Sequence, residues 1–416
     1  MNKVLNYDIC VIGGGPAGIT SAISARRLGA KVLLVDKDGV PGGMSTNGML
    51  NIWCGNAQSS IFSYVFDKTS KKTASGRKIF SPESLKPLYL DMLTKKGVDI
   101  LLHSLAVGVE KSGDMITSVS LATKSGEIKV CAKTFIDATG DGDVAYLSGV
   151  PFSMGREEDG RTQPMTVELM IGGVDTTRAE FASARHNPFL MEQMQKYLAD
   201  GRISFPVGLI ILVEALEPNT AYCNMTNVID VDATNVFDVT RAEIEARRQI
   251  PQIINFLREN AVGYENCYAV TSGVYAGARE SRRIKGKYEM SYLDVQEGRK
   301  FEDWLVPMAD YCFGVHNPNG KVENISTKPV EKGGTYTIPY GAFIPEGIKN
   351  LLVAGRCISG DHYAHSSYRV MPICMAMGEG VGTVSAIGIK ENTLPTELSS
   401  EQIKKAQDLI LQGIEF

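Results

Sequence analysis

Ile9-Cys10-Val11-Ile12-Gly13-Gly14-Gly15-Pro16-Ala17-Gly18 is an apolar run that breaks into closely spaced glycines. Gly13, Gly15 and Gly18 make a G-x-G-x-x-G pattern, which by itself marks little more than a turn. Its surroundings decide the reading. The next apolar run, Val32-Leu33-Leu34-Val35, ends at Asp36, which is 36 − 13 = 23 residues beyond Gly13. The order is strand, glycine turn, helix, strand, acid, as in a dinucleotide-binding βαβ unit. Gly13 permits the tight turn, Gly15 lets backbone approach a pyrophosphate, and Gly18 lets the helix pack on the strand. Pro16 and Ala17 open that helix, whose N-terminus carries about half a positive charge toward the phosphates. Asp36 is placed to accept hydrogen bonds from a ribose.

Bulk properties narrow the rest. At 416 residues the chain can bury a large core, and two domains are expected. A formal net charge of −4 argues against a nucleic-acid partner held through phosphates. No run of about 18 apolar residues is present, so no membrane-crossing helix is expected. Residues 9–25 resemble a signal-peptide core, but their glycines and Pro16 all have places in a strand-turn-helix, and no convincing cleavage site follows. The expected location is cytoplasmic. The 8 cysteines contain no C-x-x-C pair, which disfavours a zinc ribbon, an iron–sulfur cluster or a redox disulfide of that kind. No metal site is expected.

Along the chain, Pro16 to Leu28 reads as a helix, and Gly42 to Gly48 as a polar, flexible loop. Pro82 to Lys96 reads as a helix with Leu85, Leu88, Tyr89, Met92 and Leu93 on one face. Strands are expected over 98–102, 106–110, 116–122 and 128–135, before the glycine-acid turn Ala138-Thr139-Gly140-Asp141. From about Val150 the character changes. Strands are expected over 166–171 and 205–216, and a helix over 240–260 interrupted at Pro251. After Tyr336 the earlier style returns, with a buried strand running into Gly355-Arg356 and a helix from Met371 to Lys390. A helix capped by Ser399 or Ser400 closes the chain. The nucleotide domain therefore comprises 1–150 and 336–395, an insert spans 151–335, and 396–416 packs as a terminal helix.

These motifs, with Gly277-Ala278-Arg279-Glu280-Ser281-Arg282-Arg283 and Arg369-Val370-Met371-Pro372, resemble the FAD-dependent oxidoreductases of the glutathione-reductase-like superfamily, in a branch related to fumarate reductases. The resemblance covers nearly the whole chain. It implies an α/β fold: a Rossmann-like FAD-binding domain, with a parallel sheet, helices and a β-meander, split by an inserted α+β substrate or cap domain. It implies FAD contacts from Ile12, Gly13, Gly15, Pro16, Ala17, Gly18, Asp36 and Lys37, then from Gly43, Met44, Ser45 and Thr46. Ala106, Val107, Ala138, Thr139, Gly140 and Asp141 continue the set. Gly355, Arg356, Arg369, Val370, Met371 and Met375 complete it at the flavin end. Asp36 stands where many relatives have glutamate, and either acid accepts from a ribose. Some fumarate-reductase-like relatives carry covalent FAD on a histidine after the double glycine. Met44 cannot form that link, so noncovalent FAD is expected. No second G-x-G-x-x-G exists, so no separate NAD(P)H domain is expected.

For catalysis the candidates are His362, His365, Arg282 and Arg369. The histidines suit general acid–base work or orientation of a carbonyl or the flavin. Arg369 suits either a substrate or the flavin. Arg279, Arg282 and Arg283 beside Glu280 read as a carboxylate clamp or as an internal network joining the domains. Cys54, Cys357 and Cys374 read as packing, and Asp143 as a turn cap or an FAD contact. The expected activity is hydride transfer between flavin N5 and a small organic substrate, carboxylate-bearing if the arginines clamp it. The alternatives are an electron-transfer subunit with a donor or acceptor protein as partner, and a non-redox hydratase or isomerase. A homodimer is the base-rate expectation.

Overall fold

The computed structural model describes residues 3–74, 76–181, 187–207, 209–320, 330 and 334–416. Strand β1 (Lys3–Ile12) enters the glycine turn, α1 (Pro16–Arg26) follows, and β2 (Val32–Val35) returns beside β1 in parallel. All four residues of β2 are buried, as a strand covered on both faces requires. After α2 (Pro82–Lys95) comes β3 (Asp99–Leu101), which extends the parallel sheet beyond β2. Then β4 (Ser104–Ser112), β5 (Met115–Thr123) and β6 (Gly126–Asp137) form the antiparallel meander. The path across the sheet is β3-β2-β1-β6-β5-β4.

The 12-residue β6 serves two neighbours along one edge. Its earlier residues pair with β5, while Phe135, Ile136 and Asp137 pair in parallel with the returning strand β7 (Leu351–Val353). This return brings the second glycine turn, at Gly355, against the first.

Residues between these halves form a second sheet, antiparallel, in the order Ile211–Glu214, Thr220–Asn224, Leu169–Gly172, Tyr268–Ser272. Helix α3 (Val236–Asn260) packs on it, with Ile253 and Leu257 joining Leu169, Leu212 and Cys223 in a separate core. Pro251 does not interrupt α3 as the sequence suggests. It lies on the exposed face, where water can satisfy the carbonyl that a proline leaves without an N–H partner. In the 205–216 segment the strand is confined to Ile211–Glu214, and Gly208 lies outside the described residues. Ile284, Met290, Val295, Leu305 and Phe313 are buried in the core of the first sheet.

The C-terminal part consists of α4 (His362–Tyr368), α5 (Met371–Glu391) and α6 (Ser400–Gln412). Helix α5 lies directly on α1. An added methyl at Gly378 would sit 2.1 Å from the Ala17 carbonyl oxygen, and one at Gly382 would sit 2.3 Å from the Ser21 carbonyl oxygen. The glycines permit a backbone-to-backbone approach. By length and composition α5 also passes for a membrane-crossing helix, which the apolar-run reading missed. Its most apolar window is 94% buried inside the protein, so it is a core helix here.

Candidate functional site

Three glycines of the first turn are needed for three different reasons. Gly13 has φ +102°, and a methyl there would lie 2.3 Å from the Ala138 carbonyl oxygen. A methyl at Gly18 would lie 1.8 Å from the Gly13 carbonyl oxygen. Gly15 is different: its backbone is ordinary, with φ −70°, and a methyl there would meet nothing within 4 Å. It faces open space at the N-terminus of α1, where an anion is favoured.

The double glycine folds over this turn. Gly42 N–H donates to the Gly14 carbonyl at 2.7 Å, and a methyl at Gly43 would lie 3.3 Å from Gly15 Cα. The flexible loop expected over 42–48 is instead an ordered turn, because its polar side chains bond to nearby backbone carbonyls. Ser45 Oγ donates to Gly42 O at 2.8 Å, Thr46 Oγ1 to Pro41 O at 3.1 Å and Asn47 Nδ2 to Val40 O at 3.1 Å. Met44 is bedded against Gly48 and, across the domains, Gly277.

Asp36 directly follows β2 and is 6% exposed. The Asp38 amide reaches it only at 3.4 Å. Burial pushes its carboxyl up to about 6, the nearby Asp38 charge adds to this, and the Asp38 and Gly14 amides oppose it. Ser104 N–H donates to the Asp36 carbonyl at 2.9 Å, which brings the start of β4, with Ala106 and the exposed Val107, alongside. Lys37 extends over the Tyr275 ring at 4.7 Å.

The third turn is held by an acid that motif reading left unassigned. Buried Asp137 accepts from Thr139 Oγ1 at 2.7 Å, Thr139 N at 3.1 Å and Ala145 N at 2.9 Å. Ala138 N–H donates to the Ile12 carbonyl at 2.7 Å, locking this turn to the first. Gly355 meets Ala17 across the same space, and Arg356 bridges Asp141 at 2.6 Å and Ser281 at 2.5 Å. A weakly partnered buried carboxylate and a glycine facing open space suit FAD, with Asp36 for its ribose and Gly15 for its pyrophosphate.

At the other end, Asp361 caps α4 by accepting from Ala364 N at 2.7 Å. The helix presents His362 and His365, and Arg369 follows at its C-cap. The structure separates these candidates. His362 Nδ1 lies 2.9 Å from Glu280 Oε1, within a buried hub that also holds Arg283. His365 is 0% exposed, and neither ring nitrogen has a hydrogen-bond partner among the described residues. Burial holds it well below the ordinary imidazole range, helped by the charges of Arg283, Arg369 and Arg356, so it is neutral. Arg369 donates to Gly314 O at 2.9 Å and Gln163 Oε1 at 3.3 Å, while its Nε has no partner among the described residues.

Arg282 departs from the clamp reading. Its Nη1 donates to Asp143 Oδ1 at 3.0 Å and Asp141 O at 3.2 Å, and the guanidinium stacks over Tyr146 at 4.0 Å. The physical reason is Asp143: burial and the adjacent Asp141 raise its carboxyl, and Arg282 compensates. Arg283 is likewise spent on Glu280, Gly155 O and Gly360 O. Gln163, Glu168 and His316, absent from the sequence reading, converge with Arg279 and Arg369. They lie in three segments without motif spacing, so only the fold assembles them. Cys54 carries a thiol pushed up to about 11 by burial, which suits packing rather than nucleophilic chemistry.

The profile of the family described as FAD dependent oxidoreductase matches residues 8–408, and the chain belongs to that family. FAD is its cofactor. Among curated relatives, mitochondrial dihydrolipoyl dehydrogenase of Schizosaccharomyces pombe is 32% identical over 158 residues, 35% of this chain and 30% of the relative. Digeranylgeranylglycerophospholipid reductase of Picrophilus torridus is 27% identical over 161 residues, 33% of this chain and 40% of the relative. The chain thus spans well under half the length of these two proteins. Among solved structures, the anhydrotetracycline hydroxylase OxyS of Streptomyces rimosus aligns with a TM-score of 0.51 at 12% identity, covering 97% of this chain and 65% of the other. That likeness concerns the fold alone.

Proposed function

We propose that the protein transfers hydride between bound, noncovalent FAD and a small organic substrate. The observation that carries this reading is the set of buried polar atoms on His365, Arg369 and Gln163 that have no partner among the described residues, beside the start of α5. Buried polar groups are nearly always hydrogen-bonded, so such a cluster is accounted for by a ligand that completes it. FAD would supply the two-electron chemistry; the side chains bind, orient and handle protons.

In this reading the glycines at 13, 15 and 18 and Asp36 hold the dinucleotide end, with Ala138 to Asp141 and Arg356 alongside. Val370, Met371 and Met375 border the flavin end. The N-terminus of α5 has no side-chain cap, and its dipole suits negative charge on reduced flavin. Neutral His365 can donate a hydrogen bond from one ring nitrogen and accept one at the other. Glu280 fixes His362, which makes His362 a positioning residue.

The test is anaerobic titration of the purified FAD-loaded protein with fractions of a metabolite pool. Bleaching of the flavin bands by one fraction supports the reading. Bleaching by dithionite but by no fraction, unless a partner protein is added, sinks it in favour of an electron-transfer subunit.

A further inference from the structure

The glycine turn that suits a pyrophosphate has one wall that comes from the insert. A methyl on Gly43 would lie 3.3 Å from Gly15 Cα, 3.8 Å from Pro16 Cδ and 3.8 Å from the Tyr275 hydroxyl oxygen. One point therefore touches the first turn of α1 on one side and a phenol of the insert on the other. The bare glycines at 15 and 43 keep side chains out of it. No dinucleotide motif includes Tyr275, which lies more than 200 positions beyond these glycines in the sequence.

Tyr275 is held in this place from several directions. Lys37, the residue after Asp36, lies over its ring at 4.7 Å. The phenol thus spans from the end of β2 to the double glycine. Its chain neighbours are fastened on both sides. Val274 N–H donates to the Asn47 carbonyl at 2.8 Å, which ties the segment to the double-glycine loop. A methyl at Gly273 would lie 3.1 Å from the Gly48 carbonyl oxygen, and one at Gly277 would lie 2.7 Å from Met44 Cε. Ala276 N–H donates to Glu243 Oε1 at 2.7 Å, and Arg247 Nη2 donates to the Gly273 and Val274 carbonyls at 3.1 Å each. These last bonds anchor the segment to α3. Residues 273–277 therefore form a strap between the helix of the insert and the loop that folds over the glycine turn.

The charges around the phenol set what it can offer. Burial first, then the Asp38 and Asp36 carboxylates, push it above the ordinary tyrosine range, against the pull of Arg356. It stays protonated and keeps an O–H to donate. A donor beside the first turn of a helix suits a phosphate oxygen, just as Asp36, an acceptor, suits a ribose hydroxyl.

We propose that Tyr275 is an FAD-binding residue: the insert lays it across the dinucleotide cradle as a clasp, with its hydroxyl donating to the diphosphate. This rests on FAD as the cofactor and is independent of the hydride-transfer reading. The insert then has a task besides meeting substrate, which is to keep a noncovalent cofactor from leaving.

The test is the rate at which the FAD-loaded protein loses its flavin after dilution, read as the flavin that passes a size filter with time. Tyr275→Phe keeps the ring and removes only the hydroxyl. It should release FAD about tenfold faster than the parent protein, the loss expected for one hydrogen bond to a charged group. Tyr275→Ala should be faster still, because the wall and its contact with Lys37 go as well. Release from Tyr275→Phe at the parent rate overturns the clasp, and so does release from Tyr275→Ala at the parent rate. If Tyr275→Ala does not fold, Tyr275→Phe decides the matter alone. Parent-rate release from both variants would leave FAD binding by the glycine turn standing and remove only the part assigned to the insert.

Discussion

Gly15 separates cofactor binding from folding. Its backbone is open to any residue and its missing side chain faces empty space, so Gly15→Ala should leave the stability of the FAD-free protein within about 0.5 kcal/mol. FAD affinity should fall at least about tenfold, because the methyl occupies the approach to the pyrophosphate. Isothermal titration with FAD and thermal melts of the apoprotein check both halves. A variant that binds FAD normally would mean that the cradle lies elsewhere. Asp36 makes a second case. Its carboxyl, raised from 3.8 to about 6, is better accommodated protonated, so its contribution to apoprotein stability is fullest below pH 3.8 and is lost as pH rises through about 6. The difference is on the order of 3 kcal/mol. Ribose hydroxyls would stabilise the ionised form, so FAD should bind more tightly at pH 7.5 than at pH 5. Asp36→Asn should flatten that dependence, measured as FAD dissociation constant against pH.

At the scale of elements, the seam between α1 and α5 is governed by atoms that are absent. Gly378→Ala would drive a methyl into the Ala17 carbonyl and Thr20 Oγ1, each at 2.1 Å, and the backbone on both sides leaves little room to yield. The expected cost is about 1–3 kcal/mol or more, seen as a lowered midpoint in urea. A midpoint equal to the parent protein's would show that the helices separate easily. This seam also explains what sequence could and could not say. Alternating runs and glycine turns identified β1, α1, β2, the meander and the returning β7, because each depends on residues close in sequence. Pro251 misled, since its effect depends on which face of α3 meets water. Gly42–Gly48 misled because its polar side chains bond to backbone carbonyls in the segment and just before it. The flavin-end cluster was half legible: His365 and Arg369 stand in a polar run, whereas Gln163, Glu168 and His316 become neighbours only through tertiary packing.

Across the whole molecule, Glu280 joins the segments that the two cores contribute. It accepts from Gln163 N at 3.1 Å and lies against Arg283 and His362, while Arg283 reaches Gly155 and Gly360. Removing the carboxylate strands a buried guanidinium. Glu280→Ala should therefore cost about 3–5 kcal/mol, far more than any surface pair, and should broaden or split the thermal transition. Calorimetry would show it, and a single sharp transition near the parent temperature would argue that the cores hold together without this hub.

Strand β6 imposes an order of events during synthesis. Its final residues wait for a partner encoded 351 − 135 = 216 positions later. At about 5–20 residues per second, that interval is roughly 10–40 s of translation. Through it, the nascent amino-terminal half carries an open strand edge and a helix α1 whose glycine-matched face is bare. Exposed edges of this kind recruit wrong partners. The pause between the two halves is therefore when a ribosome-associated chaperone would matter most, and when slowing the ribosome would do the most harm.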